Sequence, residues 1–126
     1  MVVADGYYEW QKIGKQKQPY FIHRTDDAPL GFAGLWERWR DVETCTIITT
    51  GANELTRPIH DRMPAVISPD DYALWLDREN EDSATLCDLL RPRDVGPFTA
   101  TPVSTLVNSP KNDVPECVVP VDGSGA

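Results

Sequence analysis

The sequence has no long apolar run and very few histidines, and each scarcity argues against a class of protein. No segment approaches the roughly 20 consecutive apolar residues that a membrane-spanning helix needs, and the first residues lack the basic and then apolar pattern of a signal peptide. We therefore expect a cytoplasmic protein without a membrane partner. The two histidines, His23 and His60, have no paired-ligand spacing, so we expect no metal ion and no other cofactor.

Cysteine is scarce as well. Cys45, Cys87 and Cys117 lie far apart in the sequence, and an odd number of cysteines without an export signal is typical of reduced thiols. Cys45 alternates with Ile47 in a strand pattern, and Cys87 lies among helical leucines, where a small apolar side chain suffices. We expect all three cysteines to fill the core rather than to act as nucleophiles.

Basic residues are outnumbered, because 12 Lys and Arg against 20 Asp and Glu give a net charge of −8. A protein that binds nucleic acid usually carries a basic surface, since neutralised phosphates supply much of its affinity. The charges are segregated, however: residues 1–40 hold six basic and five acidic residues, whereas residues 70–94 hold three basic and eight acidic ones. The acidic surplus can face away from DNA, so the composition does not exclude DNA binding.

The length and the apolar content suit one globular domain. The chain has 126 residues, of which 40% are hydrophobic, including four Trp and four Tyr, and this composition favours a folded core over disorder. We assign residues 1–121 to that domain. Residues 122–126, which are rich in Gly and Ser, are predicted to form a flexible tail.

Aromatic and β-branched residues between turn signals predict a protein of strands with two short helices. Strands are predicted at residues 6–11, 19–24, 31–36, 44–50, 64–67 and 98–104, with a hairpin turn at 12–17. Ser68 is predicted to cap a helix that begins at Pro69 and ends near Asp77, and a second helix is predicted over 81–90. Because the helices follow a run of strands, we expect an α+β fold with a mainly antiparallel, partly barrel-like sheet, over which residues 108–120 wrap.

Two short tracts contain candidate proton-transfer groups. In ADGYYEW, residues 4–10, Glu9 alternates with Tyr8 and Trp10, so on a strand it faces away from both. In TRPIHDRMP, residues 56–64, His60 and Arg62 lie between two prolines, which indicates an ordered loop. Loops held on a rigid scaffold often carry function.

These tracts resemble the SRAP family, the abasic-site processing proteins once named SOS response-associated peptidases. The similarity begins with GYYEW at residues 6–10 and RPIHDRMPAVI at 57–67, the latter followed by a Ser-Pro helix start. It continues in the stretches FAGLWE at 32–37, TIITT at 46–50, AN at 52–53, WL at 75–76, VN at 107–108, KND at 111–113 and PEC at 115–117. So many landmarks in one order cover nearly the whole chain.

The resemblance implies a function in the DNA damage (SOS) response. Members of the family bond covalently to the ring-opened aldehyde of an abasic site in single-stranded DNA, after peptidase-like processing exposes an N-terminal cysteine. SRAP proteins begin Met-Cys-Gly-Arg, whereas this sequence begins Met-Val-Val-Ala. We therefore expect the C-terminal portion of an SRAP domain, without that nucleophile and prone to association through its incomplete N-terminal side.

The resemblance also implies roles for individual residues. Glu9 and His60 match the catalytic Glu and His of the family, and we expect them to lie within direct or one-water hydrogen-bonding reach of each other. Arg62 matches a position that holds a DNA phosphate. Trp10 is expected to stack on an unpaired base, and the Thr49 hydroxyl to bond a phosphate.

Simpler interpretations of the same residues stay open. Glu9 is also compatible with a surface or salt-bridged position, and His60 with a hydrogen-bonded loop histidine. For Arg62, an ion pair with Asp61 or Asp5 is nearly as plausible as a phosphate contact. Trp36, Trp39 and Trp75 are expected to pack in the core. His23 alternates with Phe21 in a strand pattern and is expected to be structural.

Two other functions also stay open. The stronger is a catalytically incapable SRAP remnant or binding fragment, because the nucleophile of the family is not in this sequence. The weaker is a metal-dependent hydrolase that uses His60, Asp61 and Glu9, against which the absence of paired-ligand spacing argues.

Overall fold

The computed structural model describes residues 1–122, which form an α+β fold as predicted. The strands are β1 Val2–Ala4, β2 Gly6–Ile13, β3 Gln16–Arg24, β4 Leu30–Phe32, β5 Gly34–Trp39, β6 Val42–Ile47, β7 Thr49–Gly51, β8 Arg62–Pro64 and β9 Phe98–Pro102. The helices are α1 Tyr72–Leu76 and α2 Ser83–Asp88, and 3₁₀ turns span Pro69–Asp71, Thr105–Asn108 and Pro115–Val118. Apart from Asp122, the predicted tail lies outside the described residues.

The strands pair antiparallel in four small sheets. The largest has the order β2-β3-β9, and the others are the pairs β1-β4, β5-β6 and β7-β8. Within residues 1–122 these sheets do not close into a barrel. The prediction of a mainly antiparallel fold is confirmed. In place of a partly barrel-like sheet, the described residues form small sheets that are connected to one another.

The β2-β3 hairpin is longer than predicted. Its strands run to Ile13 and from Gln16, so only Gly14 and Lys15 remain in the turn. Gly14 has a φ of +60°, a conformation that costs glycine little and that a two-residue hairpin turn requires. The long hairpin gives Glu9 a fixed cross-strand neighbour, Tyr20.

Two predicted strands are each divided where three chain segments meet. Ala33 separates β4 from β5, and Ile48 separates β6 from β7. The Ala33 amide donates to the Ala65 carbonyl (2.8 Å), the Ala65 amide to Ile48 (2.9 Å), and the Ile48 amide to Ala33 (2.9 Å). These three bonds satisfy backbone groups of the buried Ala33 and Ala65 and the partly buried Ile48 outside a regular ladder, and they link the small sheets.

The helices follow the predicted order, but the predicted N-terminal cap of the first helical segment is not formed. The Pro69–Asp71 turn leads directly into α1, which ends before Asp77 as predicted. The Ser68 side chain makes no capping hydrogen bond, so that prediction was wrong. The cap of α2 is Asp82, whose side chain accepts from the amides of Ala84 and Thr85.

The core lies where the divided strands meet the helices. Ala33, Ala65, Ile67 and Leu89 are buried together, and Trp75 packs against them as predicted. Other buried apolar residues lie along the sheets: Ile22, Leu30, Phe32, Ala52, Met63, Val103 and Cys117.

Several residues that were predicted to fill the core are exposed. Cys117 is buried, but Cys45 and Cys87 are exposed, so the prediction was wrong for two of the three cysteines. Trp36 and Trp39 are 67% and 64% exposed. The cause for Trp36, Trp39 and Cys45 is their place in the two-stranded β5-β6 sheet, where alternation points side chains to two faces that the described part of the chain leaves uncovered.

Candidate functional site

Glu9 lies on one face of the β2-β3 hairpin. Alternation places Tyr7, Glu9 and Gln11 on the same face of β2, and Tyr20 of β3 lies directly opposite Glu9. The Glu9 side chain is half-buried, and its Oε1 accepts from the Trp10 amide at 3.2 Å. As predicted from the alternation, the Glu9 carboxylate is on the other face from the Tyr8 and Trp10 rings.

His60 ends a compact turn. The carbonyl of Thr56 accepts from the amides of both Ile59 and His60 at 2.9 Å. Thr56 is buried, and its amide and hydroxyl both donate to Oδ1 of Asn53 at 3.0 Å. The turn therefore has a fixed base inside the protein, while the His60 imidazole is half-exposed at its end.

The face that carries Glu9 is the one that this turn covers. On one side of Glu9, Tyr7 lines a small cavity together with Asn53 and Thr56. On the other side, Nε2 of Gln11 donates to the carbonyl of Pro58 at 2.8 Å. Both neighbours of Glu9 on its own face thus meet the segment that leads to His60, while the direct or one-water bond between Glu9 and His60 stays a prediction.

The imidazole of His60 is held from its Nδ1 side. The Arg62 amide donates to Nδ1 at 3.1 Å, and Oδ1 of Asp61 lies 3.3 Å from the same nitrogen. In the neutral ring an accepting Nδ1 places the proton on Nε2, and in the imidazolium the Nδ1–H faces the Asp61 carboxylate. The Arg62 carbonyl also lies 3.2 Å from Nδ1. Nε2 is therefore a donor when Nδ1 accepts from the Arg62 amide or the ring is charged, and an acceptor when Nδ1 donates to that carbonyl.

Arg62 and Thr49 are brought together by the β7-β8 pair. Nη2 of Arg62 donates to the carbonyl (2.8 Å) and to the hydroxyl (2.9 Å) of Thr49. The alternative ion pair with Asp61 or Asp5 is not formed among residues 1–122. Nε and Nη1 of Arg62 have no hydrogen bond to any described residue, so each can donate singly to an anionic oxygen.

Trp10 lies on the opposite face from Glu9. Its ring centroid is 6.4 Å from that of Tyr8, and its Nε1 donates to Oδ1 of Asn108 at 2.7 Å. The Asn108 bond places the C-terminal segment over this face as expected, and burial, followed by the nearby Cys117 and Asp113, raises the pKa of Tyr8. The structure therefore groups Glu9 with the His60 turn but leaves Trp10 on the far side of the strand.

His23 has the contacts of a structural residue, as predicted. His23 stacks on Phe21 with the ring centroids 4.9 Å apart. Its Nε2 lies 3.0 Å from the Thr101 hydroxyl and its Nδ1 3.0 Å from the Arg24 carbonyl. Both ring nitrogens are occupied, which is typical of a structural histidine.

Tyr7 shares the Glu9 face of β2. Burial, followed by the negative charge of Glu9, raises the pKa of Tyr7 well above its usual value. The alternation of the strand places both side chains on that face.

Sequence patterns did not reveal Gln11, Tyr20 and Asn108 as parts of this region. Gln11 and Tyr20 alternate in register with Glu9, and that is the signal that could have identified them. Asn108 belongs to the VN landmark, but nothing local to it points to Trp10.

Three further properties of the described residues concern metal binding, the helices and a cleft away from the site. In the part of the chain that the structure describes, no three His, Cys, Asp or Glu side chains are grouped as metal ligands. Of the described helices, none is long and apolar enough to span a bilayer. A cleft of about 530 Å³ opens between Asn53, Arg57, Arg93 and Phe98, and neither Glu9 nor His60 lines it.

The family model and the curated relatives that match this chain point to the same family. The SOS response associated peptidase (SRAP) profile matches residues 1–110. The abasic site processing protein YoqW of Bacillus subtilis is 43% identical over 124 residues, which cover 94% of this chain and 55% of YoqW. HMCES of Gallus gallus, also named an abasic site processing protein, is 37% identical over 147 residues, covering 97% of this chain and 43% of HMCES.

A solved structure is also similar to this chain over most of its length. A crystal structure of a protein from Bacteroides thetaiotaomicron superposes with a TM-score of 0.85 and 32% identity, covering 95% of this chain and 55% of that one. The chain thus spans about half the length of the curated relatives and of the solved structure that it matches.

Proposed function

We propose, from the premise that this chain belongs to the SRAP family, that it takes part in the processing of abasic sites. The names of YoqW and HMCES state that activity for those proteins. For this chain the proposed substrate is single-stranded DNA with an abasic site, which is shielded by a covalent link to an N-terminal cysteine exposed by peptidase-like processing. The cytoplasm is the proposed compartment.

One observation carries the proposal: the face of β2 that holds Glu9 is covered by the turn that ends in His60. Gln11 contacts Pro58, and Tyr7 shares a cavity with Thr56. A carboxylate and an imidazole on neighbouring segments are the groups that proton transfer at a carbonyl requires.

The proposed chemistry proceeds in two stages. The α-amine attacks the aldehyde carbon, a carbinolamine forms, and loss of water gives a Schiff base. The cysteine thiol then adds to the carbon of that C=N bond, the nitrogen takes a proton, and a thiazolidine ring closes. Glu9 moves protons at the amine and the sugar hydroxyl. His60, through Nε2–H, stabilises the developing oxyanion or protonates the opened sugar.

The proposed DNA contacts follow from the free hydrogen-bonding atoms. Either Nε or Nη1 of Arg62 donates to a phosphate oxygen, while its Nη2 is held by Thr49. The Thr49 hydroxyl completes that phosphate site. Trp10, on the other face of β2, offers its ring to a flanking base rather than to the reacting sugar.

A second candidate function is favoured by the exposed tryptophans. Trp36 and Trp39 are more than 60% exposed, and exposed aromatic residues are enriched where proteins associate. In this alternative the chain is a binding fragment or catalytically incapable remnant that associates with another polypeptide.

The test is a denaturing gel after incubation with a uracil-excised, single-stranded oligonucleotide, with and without borohydride. The 126-residue chain offers an α-amine at Met1 but no thiol on the same residue, so we expect only a borohydride-dependent band. A version extended at the N-terminus to the family's cysteine should give a stable band without borohydride.

Two results would contradict the proposal. A borohydride-independent band from the 126-residue chain would replace the proposed mechanism with attack by Cys45, Cys87 or Cys117. No band from the extended version would contradict cross-linking itself and favour the binding-fragment alternative.

A further inference from the structure

The Gln11 side chain joins β2 to the turn that carries His60. Its Nε2 donates to the Pro58 carbonyl at 2.8 Å, across 47 residues of sequence. Its Oε1 accepts from the Tyr20 hydroxyl at 3.1 Å. Among the described residues, the Gln11 contact is the hydrogen bond that connects β2 with residues 56–60.

Chemistry fixes the orientation of this amide. The Pro58 carbonyl can only accept a hydrogen bond, so the NH₂ end of Gln11 must face it. The Tyr20 hydroxyl then donates to the remaining oxygen. Tyr20 lies opposite Glu9 in the β2-β3 register, so the orienting hydroxyl and the proposed catalytic carboxylate share one face of the hairpin.

The turn transmits the position of Pro58 to His60. The amides of Ile59 and His60 both bond to Thr56, and the buried Thr56 hydroxyl bonds to Asn53. The segment is therefore anchored at Thr56 inside the protein and at Pro58 on Gln11. His60 follows two residues after the second anchor, which leaves little freedom between them.

We infer that Gln11 is a positioning residue, which holds the His60 turn over the Glu9 face of β2, and that Tyr20 orients the Gln11 amide for this task. The catalytic consequence rests on the function proposed above. The positioning itself does not, because it concerns contacts within the folded chain in the absence of DNA. A carboxylate and an imidazole on separate segments need such a connection, since small displacements at a reacting centre cost large factors in rate.

The test compares three substitutions at position 11 in the full 126-residue chain. Gln11→Ala removes both contacts. Gln11→Glu keeps the shape but places a carboxylate oxygen against the Pro58 carbonyl. Gln11→Lys keeps a donor of similar reach. Gln16→Ala is the matched control, because Gln16 is exposed at the turn end of the same hairpin.

The structural readout needs no DNA. In Gln11→Ala and Gln11→Glu we expect the amides of Ile59 and His60 to exchange roughly ten-fold faster with solvent, and the imidazole NMR signal of His60 to shift. Gln11→Lys should restore both properties toward the wild-type values, and Gln16→Ala should leave them unchanged. The thermal midpoint should fall by no more than about 5 °C, which separates a local change from global unfolding.

The catalytic readout uses the cysteine-extended version. There we expect Gln11→Ala and Gln11→Glu to slow cross-link formation by roughly 10-fold to 100-fold at saturating DNA, with recovery in Gln11→Lys. If amide exchange is faster in Gln11→Ala and Gln11→Glu but the unsubstituted cysteine-extended version forms no cross-link, the proposed function is contradicted while the positioning role is supported. Unchanged exchange at Ile59 and His60 in Gln11→Ala, or equal effects of Gln16→Ala, would overturn the inference.

Discussion

The indole Nε1 of Trp10 donates a hydrogen bond to Oδ1 of Asn108, and the two atoms are 2.7 Å apart. The bond spans 98 residues of sequence and ties β2 to the 3₁₀ turn Thr105–Asn108. It fixes the indole on the face opposite Glu9. Any stacking of a base on Trp10 therefore depends on Asn108.

Replacing Asn108 by alanine should release the Trp10 ring. We expect the Trp10 indole N–H to exchange faster with solvent, and single-stranded DNA to bind roughly three-fold to ten-fold more weakly, since only part of a stacking energy of about 1–3 kcal/mol per base is lost. NMR of the indole proton and fluorescence anisotropy measure these effects. Gln16→Ala, at the exposed turn end of the β2-β3 hairpin, is the control, and an unchanged indole proton in Asn108→Ala would contradict the prediction.

Removing either proposed proton-transfer group should slow the chemistry without preventing binding. In the cysteine-extended version, Glu9→Gln and His60→Gln should each lower the cross-linking rate by roughly 100-fold to 10,000-fold, the range that one acid or base contributes. The affinity for DNA should change little. Glu43→Gln, at an exposed site on β6, is the control. Wild-type rates for both Glu9→Gln and His60→Gln in quenched time courses would refute the catalytic assignment.

The ion pair of Arg24 and Asp26 predicts a specific loss of stability in acid. Two hydrogen bonds join the side chains at 2.6 and 2.8 Å, and they are the main cause that lowers the pKa of Asp26 from 3.8 to about 2. A lowered pKa in the folded state stabilises the protein above the unfolded-state value, and that contribution is lost as the pH falls toward 2.

Asp26→Asn measures this contribution directly. Above about pH 5 the variant should unfold a few degrees below the wild type at most, because the Asp26 side chain is 46% exposed to solvent, and the difference should vanish below pH 2. Thermal unfolding followed by circular dichroism at several pH values tests this. Asp41→Asn is an exposed control, and a gap between Asp26→Asn and wild type that widens in acid would contradict the sign.

The exposed tryptophans of β5 should affect association rather than stability. Trp36→Ser and Trp39→Ser should change the free energy of unfolding by less than about 1 kcal/mol, as is usual for surface substitutions, while reducing self-association in sedimentation experiments. Trp75→Ser, which removes a side chain packed on the core, should cost roughly 2 kcal/mol or more. If the wild-type chain is monomeric and binds no apolar dye, the association expected from these residues is absent.

Local sequence patterns predicted most of the strands and helices, because residue alternation and proline act on the backbone within a few residues. Alternating aromatic residues marked β2, and Pro69 marked the start of the first helical segment. The strand breaks at Ala33 and Ile48 have no local signal, since both arise from backbone bonds to the distant Ala65. Ser68 had the right residue type for a cap, but its side chain makes no such bond.

The candidate site divides in the same way. The sequence by itself determined the family landmarks, the alternation that sets Glu9 apart from Trp10, and the proline-bounded tract of His60. Only the tertiary structure decided that the His60 turn covers the Glu9 face, that Gln11 binds it there, and that Trp36 and Trp39 are left exposed. The physical reason is that these features depend on which distant segment pairs with or covers a surface, and on hydrogen bonds across 47 and 98 residues, which no short stretch of sequence encodes.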